Sequence, residues 1–196
     1  MTPSLTSLCV YCGSAVGRSL RYRAAAERLG RDLAANDVRL IYGGGRVGIM
    51  GVIADAVIAH GGKATGIIPT FLETREVGHH GIDDLRIVDN MHVRKQLMFD
   101  LADAFAILPG GYGTLDETFE IITWRLLAMH DKPVVIVNQD GYWDKLLALI
   151  EHCRDEGFVS QRRDLFQVVG DVDELLPALM TASETPPRHA SQPSRF

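Results

Sequence analysis

The chain has 196 residues, of which 46% are apolar and 23% charged, and carries a formal net charge of −5. That length suits one globular domain with a sizeable core, and the lack of a basic run speaks against a DNA or RNA partner. With no stretch of about 18 uninterrupted apolar residues and no basic leader in MTPSLTSLCVYCGS, the reading is a cytoplasmic protein with no membrane partner.

In chain order, the first predicted strand is Ser7–Cys12. It contains Cys9 and Cys12, a C-x-x-C pair that reads as buried structural cysteine, because an odd separation in a strand sends the two thiols to opposite faces. A glycine loop, CGSAVG (12–17), leads into a helix over 19–35. The strand Arg39–Tyr42 runs into a second loop, YGGGRVGIMG, and a helix over 48–60. Gly43, Gly45 and Gly48 spell G-x-G-x-x-G in the context of a dinucleotide fingerprint. The acid that should end the next strand and bind a ribose is missing, since Ala64–Ile68 is followed by Pro69, which argues against NAD.

Strand Leu85–Val88 precedes a helix over 90–102, and the loop before them carries His79-His80, read as a solvated pair and not a metal site. On the helix, Met91, Arg94, Met98 and Leu101 share one stripe. An arginine on a buried stripe needs an anionic partner, either an internal carboxylate such as Glu117 or a bound phosphate. Lys95 lies about 100° round the helix, within reach of the same anion.

Strand Ala104–Leu108 enters the third glycine loop, PGGYGT (109–114), and a helix over 114–129. The loop lacks the Gly-Lys-Ser/Thr that grips a triphosphate and magnesium. It keeps a run of backbone N–H groups at a helix N-terminus, which suits one phosphate. A glycine turn with Thr114 as N-cap explains the threonine and one glycine, but not three. Glu117, in the expected first turn, shares a stripe with Ile121, Trp124 and Ala128, so its carboxylate should be partly desolvated, which favours general-base or charge-stabilising work. Asp116, about 100° away, reads as a solvated partner of the helix dipole.

The strands Val134–Asn138 and Phe166–Val169, with helices over 142–156 and 172–181, complete an alternating pattern. That pattern implies a Rossmann-like α/β fold, a mostly parallel sheet with helices on both faces and the three glycine loops along one edge. The domain should span 1–181, with a disordered tail over 182–196.

Met91-x-x-Arg94-Lys95 followed by Pro109-Gly110-Gly111-Tyr112-Gly113-Thr114-Leu115-Asp116-Glu117 resembles the LOG ("lonely guy") family of cytokinin riboside 5′-monophosphate phosphoribohydrolases, and the likeness extends over residues 7–180. The resemblance implies hydrolysis of the N-glycosidic bond of N6-modified AMP, and of AMP itself in some members, by a homodimer that uses no cofactor and no metal. It implies a catalytic pair, Arg94 and Glu117. The substrate-binding positions it implies are Ser14, Glu76, Met91, Arg94, Lys95, Gly110, Gly111, Tyr112, Gly113, Thr114, Leu115, Asp116, Glu117 and Thr123. Asp116 departs from the glutamate of many members. A lysine decarboxylase, the label such sequences often carry, would need pyridoxal phosphate on a lysine, and none of Lys63, Lys95, Lys132 and Lys145 lies in an anchoring motif. The competing reading from another class is a non-catalytic nucleotide sensor or carrier of the same fold.

Overall fold

The computed structural model describes residues 5–159 and 164–184. Seven strands form one parallel sheet in the order β4-β3-β2-β1-β5-β6-β7. They are β1 (Ser7–Tyr11), β2 (Arg39–Tyr42), β3 (Ala64–Pro69), β4 (Asp84–Val88), β5 (Ala104–Ile107), β6 (Val134–Val137) and β7 (Gln167–Val169). The order reverses between β1 and β5, so a crevice opens at the carboxyl ends of those two strands, where open α/β sheets bind ligands.

Helices α1 (Leu20–Ala35), α2 (Gly48–Ala59), α3 (Thr70–Glu76), α4 (Met91–Leu101), α5 (Tyr112–Leu126), α6 (Asp144–Asp155) and α7 (Leu175–Glu184) connect the strands or follow the last of them. Strand side chains alternate between two cores. Leu8, Val10, Leu40 and Ala106 pack with α1, α2 and α7, whereas Cys9, Tyr11, Phe105 and Ile107 pack with Met98 of α4 and Ile121 of α5. Cys9 and Cys12 fall in opposite cores, both buried and both free thiols, as the odd spacing requires. Central strands covered on both faces read as continuous apolar runs, which is why SLCVY, AFAI and VVIV carry almost no polar residues.

The helices start where the chain supplies a cap or needs none. The Ser19 side chain accepts the Arg21 N–H at the start of α1, and the Asn90 side chain accepts the His92 and Val93 N–H groups at 3.0 Å at the start of α4. Strand ends shift by a residue and α6 starts two residues late, and three further differences from the sequence reading bear on the site or the tail. The short helix α3 occupies a stretch read as loop. Helix α5 begins at Tyr112, not 114, because Gly111 takes the N-cap position with no side-chain cap at all. Helix α7 runs to Glu184, into the expected tail, and the rest of that tail lies outside the described residues.

The register that creates the crevice is set at the opposite edge of the sheet. Asp103, just before β5, accepts hydrogen bonds from the Thr6 N–H (2.9 Å), the Thr6 hydroxyl (2.7 Å) and the Ser7 N–H (2.9 Å) at the start of β1. Partial burial pushes its carboxyl up, but those hydrogen bonds outweigh burial and hold it below the ordinary carboxylate range. Because the folded value lies below the unfolded one, this stabilisation is complete above the usual Asp value of about 3.9 and is lost as pH falls through the lowered folded value. Asp103→Asn is expected to lower the melting temperature at pH 7 by a few degrees, about 1 kcal/mol for a chain of this size. The gap to wild type should hold above about pH 4 and shrink in melts taken below it, and a gap independent of pH would contradict the assignment.

Candidate active site at the carboxyl edge

Three glycine loops follow the adjacent strands β2, β1 and β5 and meet over the crevice. Gly13 joins all three. Its N–H donates to the Pro109 carbonyl (3.1 Å) and its own carbonyl accepts from the Ile49 N–H (3.0 Å) at the start of α2. The loops touch backbone to backbone, and side chains would not fit. A Cβ on Gly48, whose φ is +68°, would lie 2.2 Å from the Ser14 carbonyl carbon, and one on Gly110 would lie 2.1 Å from Thr114 Oγ1.

Arg94 comes up beneath the β2 loop from α4. It is only 6% exposed, Nη2 donates to the Gly43 carbonyl at 3.3 Å, and Nη1 lies 3.8 Å from Met91 Sδ. Nε has no hydrogen-bond partner among the described residues. A Cβ on Gly43 would sit 1.9 Å from Nη2, so a glycine is required where the guanidinium passes. The sequence left Arg94's partner open between a carboxylate and a phosphate, and the contact made is to a main-chain carbonyl of the second glycine loop.

Glu117 descends into the same region from α5 and is 8% exposed, flanked by buried Thr114, Thr118 and Ile121. It lies in the second turn of the helix, not the first, since α5 starts two residues early. Ala128 leaves the expected stripe, being past the helix end with φ +56°. Arg94 and Glu117 act on a common neighbour, the Cys9 thiol of β1. Burial raises that thiol well above its ordinary range, the Glu117 charge raises it further, and the Arg94 charge lowers it. Burial, Cys9 and Glu117 likewise push the Tyr11 hydroxyl up.

The remaining expected residues divide into three groups. Gly110, Gly111, Tyr112, Gly113 and Thr114 form the mouth of α5, with the Tyr112 side chain 93% exposed and Thr114 buried inside the first turn. Thr114 is therefore not the N-cap, and its carbonyl accepts the Thr118 hydroxyl at 2.6 Å. Ser14 is exposed in the β1 loop against Gly48, Met91 opens α4 beneath Arg94, and half-buried Leu115 packs against the core on the α5 side of the sheet. Lys95 turns to α5, where its ammonium pairs with Asp116 (3.2 Å) and Glu120 (2.9 Å). Partial burial opposes its charge, but those two carboxylates outweigh it and raise its pKa.

Thr123 is not brought to the crevice. It is exposed, and its six-residue separation from Glu117 is about 9 Å of helix rise. The Glu76 side chain lies outside the described residues.

His79 corrects the reading of a solvated pair. It is buried, with Nε2 3.0 Å from Asp55 of α2 and Nδ1 accepting the Gly81 N–H, while His80 is exposed beside Glu73. The main chain at this point is tied to the β2 loop, with the His79 N–H on the Gly44 carbonyl (2.9 Å) and the Arg46 N–H on the Val77 carbonyl (2.9 Å). No group of three His, Cys, Asp or Glu among the described residues is placed to hold a metal.

A family described as "Possible lysine decarboxylase" matches residues 50–179. The chain is 43% identical to a cytokinin riboside 5′-monophosphate phosphoribohydrolase of Rhodococcoides fascians, over 90% of each chain. It is 44% identical to the Arabidopsis thaliana enzyme LOG1, over 78% of this chain and 72% of that one. Among solved structures it is similar to the molybdenum cofactor carrier protein of Chlamydomonas reinhardtii (19% identity, TM-score 0.66, 91% of this chain and 98% of that one). It is similar also to the molybdenum cofactor binding protein of Rippkaea orientalis (17%, TM-score 0.67, 91% and 97%). Identities this low show the shared fold alone.

The residues do not fit the pyridoxal phosphate that a lysine decarboxylase would carry. Lys63 and Lys132 precede β3 and β6 at the amino edge of the sheet, away from the crevice, and Lys132 is bound to the Phe99 carbonyl at 2.7 Å. Lys95 is held in its two ion pairs, and Lys145 is exposed on α6.

The passage of the Arg94 guanidinium over Gly43 generates a test that needs no substrate. Gly43→Ala is expected to destabilise the fold by about 1–3 kcal/mol, the usual cost of forcing a methyl group into a filled site. In an Arg94→Ala background the same change should cost much less, because the clashing atom is gone. Denaturant melts of the four proteins measure the cycle, and equal costs in both backgrounds would contradict the packing described.

Proposed function

The chain belongs to the cytokinin riboside 5′-monophosphate phosphoribohydrolase family, and from that membership we propose that it hydrolyses the N-glycosidic bond of N6-modified adenosine 5′-monophosphates to the free base and ribose 5-phosphate. The observation that carries this reading is the co-burial of the Arg94 guanidinium and the Glu117 carboxylate under three glycine loops. A phosphate-binding carrier needs amides and a cation, but it has no use for a buried carboxylate beside them. The molybdenum cofactor proteins share the fold at 17–19% identity, whereas the phosphoribohydrolases share 43–46% of residues.

In this scheme the N–H groups of Gly111, Tyr112 and Gly113 at the α5 N-terminus hold the 5′-phosphate, with the helix dipole behind them. Departure of the purine leaves oxocarbenium character on the ribose, as in glycosidases. Glu117 faces that charge and orients the attacking water. A bond forms from the water oxygen to the ribose carbon as the carbon–nitrogen bond breaks and its electron pair leaves with the purine; the water proton passes to the carboxylate and on to the purine nitrogen, which releases the neutral base and restores the carboxylate. A guanidinium is not a proton donor or acceptor in such a step, so the part of Arg94 is positioning and charge balance, with Nε left to bond a ribose hydroxyl. Ser14, Met91, Lys95, Leu115 and Asp116 shape the surroundings, with Lys95 acting through its pairs to α5. No metal takes part in this scheme.

A second copy of the chain completes the reading. Val93 of α4 and Phe119 of α5 are exposed, and Leu127 and Met129 just beyond α5 are too, which leaves an apolar face where two helices meet solvent. Thr123 lies one turn from Phe119 on that face, so a partner packed there gives Thr123 a role that it lacks within one chain. The free cysteines suit the reducing cytoplasm, where we place the protein. Sedimentation should give a dimer, and Phe119→Asp should shift it toward monomer. A wild-type monomer at micromolar concentration would remove this part of the proposal.

The chemistry is tested with isopentenyladenosine monophosphate and no added metal. Wild-type protein is expected to release ribose 5-phosphate, and Glu117→Gln to lose at least about a hundredfold in rate while still binding nucleotide. Full activity in Glu117→Gln would sink the mechanism. Nucleotide binding with no hydrolysis in the wild type would favour the carrier.

A further inference from the structure

Tyr142 stands outside the residues assigned so far. It follows β6 at a turn where Asp140 and Gly141 both adopt positive φ (53° and 72°), and its hydroxyl donates to the Gly110 carbonyl at 2.6 Å. The ring is braced on two sides, edge-on to Tyr22 of α1 (centroids 5.5 Å apart) and edge-on to Trp143 (4.7 Å). Tyr22 in turn abuts Gly17 of the β1 loop, where a Cβ would lie 2.9 Å from Tyr22 Cδ2. A rigid side chain on the β6–α6 turn thus grips the main chain of the β5 loop.

What it grips is the peptide unit between two glycines. A trans peptide is planar, with its C=O and N–H pointing to opposite sides, so fixing the Gly110 carbonyl fixes the direction of the Gly111 N–H as well. Glycine on both sides makes this the easiest kind of peptide to flip. A Cβ on Gly111 would meet nothing within 4 Å, so packing does not hold that side. A flip would replace the N–H with a carbonyl oxygen and turn an anion-binding loop into one that repels anions. The Pro109 carbonyl before it is already held by the Gly13 N–H.

We propose that Tyr142 is a positioning residue for the phosphate of the substrate, locking the Gly110–Gly111 peptide so that the Gly111 N–H joins the first-turn amides of α5 in the crevice. The inference rests on the phosphate being bound at this loop, as in the function proposed above, and it concerns a residue that touches neither substrate nor the reacting atoms. Its signature is selective for the phosphate, because the base and the ribose do not meet this peptide.

Tyr142→Phe keeps the ring and its two aromatic contacts while removing the hydroxyl. Titration calorimetry with AMP and with adenosine, in the Glu117→Gln background that keeps AMP from turning over, reads the effect on binding. The variant should bind AMP about tenfold more weakly and adenosine as well as wild type does, a size set by the loss of one hydrogen bond and the peptide it orders. With isopentenyladenosine monophosphate the loss should fall on KM, with kcat within about threefold of wild type. Equal weakening for AMP and adenosine would reduce Tyr142 to a packing residue, and unchanged AMP affinity would remove the strut altogether. If wild-type protein binds nucleotide but hydrolyses none, the reaction assigned above fails while the AMP–adenosine contrast still decides this inference.

Discussion

The structure around the crevice depends on Gly13, where three loops meet at main-chain distance. Its N–H is spent on Pro109 and its carbonyl on Ile49, so the turns after β1, β2 and β5 form one hydrogen-bonded body. That arrangement excludes side chains from the junction, because a Cβ at Gly13 would stand 3.0 Å from the Ala15 carbonyl oxygen and 3.3 Å from the Gly110 Cα. Loops built this way present backbone N–H groups and little else, which is the surface a phosphate recognises. The strand order β2-β1-β5 is what brings the three turns side by side, and the Asp103 clamp at the far edge keeps β1 and β5 in register.

Beneath that body lie a buried cation and a buried carboxylate. Taking either out of water costs several kcal/mol unless polar partners replace the solvent. Arg94 recovers part of this through the Gly43 carbonyl, but its Nε is left without a partner among the described residues, a state rare for a buried donor. Glu117 sits close enough to raise the Cys9 thiol and the Tyr11 hydroxyl, which therefore stay neutral and add no competing charge. Lys95 is treated differently, since its largely buried side chain is paired with two carboxylates on α5. The fold thus keeps one cation available at the crevice and uses the other to tie α4 to α5.

Much of this arrangement is legible in the sequence because it rests on local patterns. Apolar runs alternating with helical stripes imply the parallel sheet, and the stripes place Arg94 and Glu117 inside before any contact is known. Features set by main-chain geometry are not legible in the same way. Gly111 caps α5 without a side chain, so the pattern points to Thr114, and the helix start is misplaced by two residues. Helix α3 is too short to show a period, and it ends at Val77 in a left-handed conformation that its β-branched side chain disguises. His79 looks solvated beside His80, because the Asp55 that receives it lies 24 residues away on another helix. Tyr142 carries no motif, and only the folded chain brings its hydroxyl to a carbonyl 32 residues back.

The molybdenum cofactor proteins and the phosphoribohydrolases make a useful pair, because fold similarity alone does not choose between carrying and cutting. What bears on the choice in this chain is the carboxylate buried below the loops. Amides at a helix N-terminus bind an anion in its ground state and gain nothing when a bond to the sugar breaks. A carboxylate held in a dry site opposes solvation before the reaction and meets positive charge only as the oxocarbenium forms, so its interaction strengthens along the reaction path. Glu117 is placed one turn behind the loop to which the phosphate is assigned in the proposed reaction, on the same helix, beside the buried Thr114, Thr118 and Ile121. In the proposed reaction, binding energy won at the phosphate would thereby be carried by one helix to the carboxylate, which would need no motion of its own to meet the developing charge.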